Sequence, residues 1–139
     1  MTDQRLGKLA KGSLFSRLFG SGRQPLRLVA VPRDHVAGDR ARGDALLGGR
    51  LALGNEEIAL AEIEFSSLGT RGALAREVQG FSWLRDLAAS ASRDRGARLA
   101  EAIAGRWLIA HGTRVDEAWA PELWGERILF WTAYAPYIL

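Results

Sequence analysis

The chain contains no cysteine. That excludes a disulfide framework, a thiolate metal site and a cysteine nucleophile. Histidine is nearly as scarce: His35 and His111 are the only imidazoles, 76 positions apart. No pair of histidines or carboxylates has metal-ligand spacing, so neither a metal nor a cofactor is expected. No uninterrupted apolar run reaches the ~18 residues a membrane-spanning helix needs. Gly20-Ser21-Gly22 and Gly48-Gly49 lack the Lys-Ser/Thr that would make either a phosphate-binding loop. Lysine is limited to Lys8 and Lys11 among 19 cations, a skew read as codon bias in a GC-rich genome.

The 139 residues are 47% apolar and 25% charged. This is the composition of one globular domain rather than a disordered chain. The net charge of +3 is unevenly placed: residues 1–50 carry +6 and residues 51–139 carry −3. A basic head on an acidic body suits either a solvated leader or attraction to nucleic acid or anionic lipid. Nucleic acid is not favoured.

Three regions are expected. Residues 1–24 form a basic amphipathic leader, with Leu6, Leu9, Leu14, Phe15, Leu18 and Phe19 interrupted by Lys8, Lys11 and Arg17. The interruptions make a poor secretory signal; contact with a membrane surface is open, and a cytoplasmic or membrane-peripheral location is favoured. Residues 25–72 hold an extended stretch between Pro25 and Pro32, a turn at Gly38-Asp39, and a short helix from Arg40 to Leu47. A β-hairpin follows, in which Leu51/Leu53 and Ile58/Leu60 flank a Gly54-Asn55 turn. Residues 73–139 read as helical. Leu74, Val78, Phe81, Leu84 and Leu87 mark one run, broken at Ser90-Ala91-Ser92, and Leu99, Ile103 and Trp107 a second that closes at His111-Gly112. Pro121 opens a third, striped by Leu123, Trp124, Ile128, Trp131 and Tyr134. The apolar ending Tyr134 to Leu139 suggests either a docked terminus or a chain cut short within a core, with self-association through an uncovered face.

Five tryptophans in 139 residues bear on binding. Trp83 and Trp107 are expected in the core. Trp119 and Trp131 suit either core packing or stacking on the apolar face of a sugar ring. Arg127 suits either a bidentate contact with a carboxylate or a helix-surface pair with Glu117, Glu122 or Glu126. His111 reads as a helix cap, His35 as a surface residue, and Tyr134 and Tyr137 as core.

Three ordered stretches carry a resemblance. They are Gly38 to Gly54, Gly80 to Leu87, and the set Trp107–Gly112, Ala118–Glu122, Arg127–Trp131 and Ala135–Leu139. Together, over residues 25–139, they resemble the N-terminal region of heparinase II/III-like proteins of the α-proteobacterial type. The resemblance implies a mainly α fold: the first helices of an α/α toroid, with the short hairpin on the N-terminal side. It implies polysaccharide lyase chemistry, in which a base removes the proton α to a uronate carboxylate. In the family those catalytic residues lie mostly beyond the equivalent of Leu139, so no catalytic residue is assigned and the chain alone is expected to be inactive. Arg127 and Trp131 match an Arg-Ile-x-Asn-Trp-like run that faces the groove in related lyases, with Phe130 where Asn would stand. Trp119, Arg127 and Trp131 are therefore the candidate substrate-binding residues, and a uronate-containing polysaccharide the candidate partner once the missing domains complete the site. The alternatives are a free-standing helical interaction module and a membrane or nucleic-acid binder acting through the basic segment.

Overall fold

The computed structural model describes residues 28–139, so the leader over residues 1–24 lies outside the described residues. The chain is mainly helical with one two-stranded antiparallel sheet. In order, the elements are α1 (Arg40–Leu47), β1 (Arg50–Leu53), β2 (Glu56–Ala59), α2 (Ala73–Gly80), α3 (Trp83–Ser90), α4 (Arg93–His111), α5 (Pro121–Ala133) and α6 (Ala135–Ile138). Short 3-10 turns occupy Leu60–Glu62, Phe65–Ser67 and Glu117–Trp119.

Residues 28–39 have no regular structure and are mostly exposed. Asp34 ties them down: its Oδ2 accepts from Arg85 Nε at 2.7 Å and from the Tyr134 hydroxyl at 2.8 Å. Asp39 then caps α1, accepting from Ala41 N at 2.8 Å and Arg42 N at 3.2 Å, which satisfies donors left free at a helix start. α1 lies on α3 at Gly43, where a Cβ would stand 2.1 Å from the Asp86 carbonyl oxygen. Asp86, buried in α3, accepts from Asp39 N at 2.7 Å and pairs with Arg42 at 3.1 Å.

The hairpin forms as expected, with Leu51 opposite Ile58 and Gly54 at φ 61° in its turn. It is not left alone. Leu51 and Leu60 are buried in the common core, and Arg106 on α4 donates to the carbonyls of Leu60 and Ile63 at 2.6 Å each. The same guanidinium lies 5.0 Å from the Phe65 ring centroid.

The apolar run Leu74–Leu87 was expected to be one helix and is two. Phe81 sits between α2 and α3 at φ 66°, a left-handed conformation disfavoured for a bulky side chain. Burial offsets the cost: Phe81 has no exposed surface, and its ring packs 5.3–5.5 Å from those of Trp83, Trp107 and Trp131. The kink turns Trp83, Leu84 and Leu87 into the same core.

α4 runs further back than its apolar spacing suggested, starting at Arg93. Gly96 gives Tyr137 room against it; a Cβ there would stand 2.8 Å from Tyr137 Cε1. Pro121 opens α5 as expected. The buried side of α5 differs from the expected stripe: Leu123, Arg127 and Phe130 face inward, while Trp124 and Ile128 are half exposed. Pro136 stands in the first turn of the separate helix α6. Among the described residues no helix is long and apolar enough to cross a membrane.

Candidate functional site

α4 supplies the centre of the aromatic cluster. Trp107 has no exposed surface, and the rings of Trp119 and Trp131 approach it edge-on at 5.4 and 5.9 Å. Its indole N–H donates to Gln79 Oε1 at 2.6 Å, and Gln79 Nε2 donates to the Gly69 carbonyl at 2.9 Å. Gln79 thereby joins α2, α4 and the loop before α2.

Arg127 fills the space between two of these indoles. Its guanidinium carbon lies 4.6 Å from the Trp107 ring and 5.0 Å from the Trp119 ring. Nη1 donates to the Gln79 carbonyl at 2.7 Å and Nη2 to the Ala118 carbonyl. Gln79 is the penultimate residue of α2, so the cation meets the negative end of that helix and one of its free carbonyls. No carboxylate pairs with it among the described residues, and Nε makes no hydrogen bond. Burial lowers the guanidinium pKa to about 10, against the raising influence of Asp116 and Glu126; the group is still a cation at neutral pH. Cation–π contact with the buried Trp107 ring and the half-buried Trp119 ring, about 2 kcal/mol in favourable cases, and charge-assisted bonds of about 1.5–3 kcal/mol offset the cost of burying it.

Trp119 and Trp131 are half-buried and line one groove of about 560 Å³ with Leu28, Pro32, Leu108 and Ile138. Among the described residues no charged side chain lines it. The Trp119 N–H donates to the His111 carbonyl at 2.8 Å, whereas the buried Trp131 N–H has no partner among the described residues. Of the three candidate substrate-binding residues, Trp119 and Trp131 thus share a groove. Arg127 lies inward of it with zero exposure and both Nη atoms bonded to backbone.

The proton-transfer candidates are equally committed. His111 is buried at the end of α4, but its ring does not cap that helix. Nδ1 lies 2.8 Å from Asp116 Oδ2 and Nε2 3.0 Å from the Phe65 carbonyl. Burial pulls the Asp116 carboxyl up, yet the bonds from His111 and Ala118 N and the Arg114 charge leave it below its ordinary value. His and Asp adopt the pairing of a catalytic dyad, but the second ring nitrogen is spent on a backbone carbonyl. The Tyr134 hydroxyl donates to Asp34, and burial, reinforced by that bond, pushes it up to about 12. The Tyr137 hydroxyl donates to the Ala91 carbonyl at 2.7 Å, and burial raises it also. These shifts run opposite to what a tyrosinate base requires. Asp34 is held down to about 2, chiefly by Arg85. His35 is exposed. No group of three or more His, Cys, Asp or Glu is placed to hold a metal ion among the described residues.

Gln79, Asp34 and Arg106, which organise the fold around the groove, were not singled out from the sequence. Arg127 carried the one available signal: with Leu123, Phe130 and Tyr134 it falls at 4, 3 and 4 residue steps, inside an apolar stripe rather than beside it.

Comparison with protein families, curated proteins and solved structures finds no match for this chain.

Proposed function

We propose that this chain is a non-catalytic N-terminal portion of a heparinase II/III-like polysaccharide lyase, contributing the first helices of an α/α toroid. The sequence resemblance supports this reading. So does the way its three stretches meet: Gly43 of the first abuts Asp86 of the second, and Phe81 of the second packs on Trp107 and Trp131 of the third. The absence of catalysis rests on one observation. His111, Tyr134 and Tyr137 each spend their polar atoms on internal partners, so none of these three is free to abstract a proton. A uronate-containing polysaccharide is then a partner of the completed protein.

Incubation of the purified chain with heparin, heparan sulfate, alginate or chondroitin should yield no ultraviolet absorbance from unsaturated uronate. Its appearance above a buffer control would overturn the proposal. DNA downstream of codon 139 tests the other half: a continuing or frameshifted lyase frame supports it, and an unrelated gene directly following sinks it.

A second reading, a free-standing helical interaction module, draws on the closed core beneath the groove, where Phe81, Trp83, Leu84 and Trp107 are all 0–1% exposed. A monodisperse monomer with a sharp cooperative melt favours it over the lyase portion.

A further inference from the structure

α5 is built to be covered on two sides. Leu123, Arg127 and Phe130 turn one side into the fold. On the other, the exposed positions after Glu122 are Trp124, Gly125, Ile128, Leu129 and Thr132, and none is charged. At about 100° per residue, Trp124 to Leu129 sweeps an arc of about 140°, the width a helix normally turns toward a core. The other exposed helix faces carry charge: Arg40 and Asp44 on α1, Arg76 on α2, and Arg95, Arg98 and Glu101 on α4. Thr132 adds no polar demand, because its hydroxyl is spent on the carbonyls of Ile128 and Leu129 at 2.7 and 3.0 Å.

Gly125 is a second, independent observation. Glycine weakens a helix interior. Among the described residues nothing lies within 4 Å of a Cβ built there, so no contact inside the fold calls for it. It leaves a notch in the apolar arc beside Ile128 and Leu129, its i+3 and i+4 neighbours.

We infer that a second copy of this chain covers this side of α5, the two α5 helices crossing antiparallel about a two-fold axis at the level between Glu126 and Arg127. A two-fold contact must use one patch that complements itself. Reversed about that axis, Trp124 falls opposite the partner's Leu129, and Ile128 falls opposite the notch at the partner's Gly125. Bulk thus meets space twice, and the helix dipoles oppose each other. A parallel crossing would set glycine on glycine and indole on indole. Trp124, Ile128 and Leu129 are 51–52% exposed, which leaves roughly 300 Å² of apolar surface per copy. Apolar atoms make up about 60% of an interface, so the pair buries about 1,000 Å² in total. That is the lower bound for a specific contact and gives a reversible dimer, dissociating at tens of micromolar. The pairing depends on α5 and not on lyase chemistry.

Sedimentation velocity of the full chain across about 1–300 µM should show monomer passing reversibly to dimer and no further. Trp124→Glu with Ile128→Glu puts charge on a face already exposed, so the fold should survive and the dimer should vanish. A melt at the lowest concentration checks the first point. Gly125→Leu adds apolar surface yet fills the notch, and should raise the dissociation constant about tenfold. Orientation is read through introduced cysteine, since the chain has none of its own. Positions 121 and 132 lie about 16 Å apart along one helix. A short bismaleimide should therefore join an equimolar mixture of Pro121→Cys and Thr132→Cys proteins, and neither protein alone. A monomer at every concentration, a dimer that survives the double glutamate variant, or growth beyond the dimer would overturn the inference. So would tighter association of Gly125→Leu, an unjoined mixture, or cross-linking of either cysteine variant by itself.

Discussion

Gly43→Ala and Gly125→Ala make the same chemical change in two helices and should act in opposite directions. In an exposed helix interior, replacing Gly by Ala is favourable by about 1 kcal/mol. Gly125, on the solvent side of α5, has nothing within 4 Å of a built Cβ, so it should show that gain. At Gly43 the new methyl would meet the Asp86 carbonyl oxygen at 2.1 Å and Ser90 Oγ at 2.5 Å. The first is backbone inside α3 and cannot swing aside, so α1 and α3 must part by more than about 1 Å to reach ordinary contact. Parting stretches three bonds that cross the seam: Asp39 N to Asp86, Arg42 to Asp86, and Ser90 Oγ to the Arg40 carbonyl at 2.7 Å. Overpacking costs about 1–3 kcal/mol and each weakened bond up to about 1 kcal/mol. After the helix-propensity gain, a net loss of about 2 kcal/mol remains. For a chain this size 1 kcal/mol moves Tm by roughly 3–6 °C. Thermal melts followed by circular dichroism should therefore place Gly43→Ala about 6–12 °C below wild type and Gly125→Ala a few degrees above it. A Gly43→Ala protein melting at or above wild type would refute the close approach of α1 to α3.

Arg127→Lys keeps the charge but loses the planar fork; one ammonium cannot both stack on two indoles and reach two carbonyls. It should lose about 2–4 kcal/mol in urea unfolding, and a loss under 0.5 kcal/mol would contradict the buried clamp. Asp34, ordinarily near 3.8 and held near 2 in the fold, contributes stability that is complete above about pH 4. That stability drains as pH falls toward 2, because the unfolded chain takes up the proton first. Melts between pH 5 and pH 2 should fall more steeply for wild type than for Asp34→Asn, and parallel curves would contradict the ion pair. Both tyrosines of the chain have raised pKa values, so tyrosinate absorbance of the native protein should rise later than that of the denaturant-unfolded chain. The stability tied to Tyr134 is present below about pH 10 and lost on the way to about 12; coincident titrations would argue against buried hydroxyls.

What the sequence disclosed were the features written in local chemistry. Gly48-Gly49 after α1, Gly54-Asn55 between alternating apolar residues and Pro121 at the head of α5 each announce an element through backbone rules that operate within a few residues. Phe81 shows why other features stay hidden. Nothing within Leu74–Leu87 breaks the helical period; the left-handed residue is stabilised by Trp107 and Trp131, 26 and 50 positions away. The inward face of α5 was misplaced for a similar reason. Hydrophobic patterning assigns an arginine to water, yet Arg127 is sheltered by the indoles of Trp107 and Trp119 and by carbonyls from α2 and the 3-10 turn before α5. Trp124 and Ile128, apolar and suitably spaced, were left half exposed instead. At the candidate site, the sequence left Trp119 and Trp131 open between core and stacking surface, and the structure half-buries both, while the inward turn of Arg127 depended on contacts no short window contains.

The hydroxyl–carboxylate link from Tyr134 to Asp34 joins residues 100 positions apart. Closing so large a loop is entropically expensive until intervening structure has shortened it. α3 must present Arg85 and the end of α5 must present Tyr134 before Asp34 has anywhere to bind. The expected outcome is that removing the latch with Asp34→Ala speeds unfolding and leaves the folding rate nearly unchanged in stopped-flow measurements; a slowed folding limb would show that it forms before the transition state. Through Asp34 alone, α3 and the end of α5 fix the stretch whose Leu28, Ala30 and Pro32 form one wall of the groove.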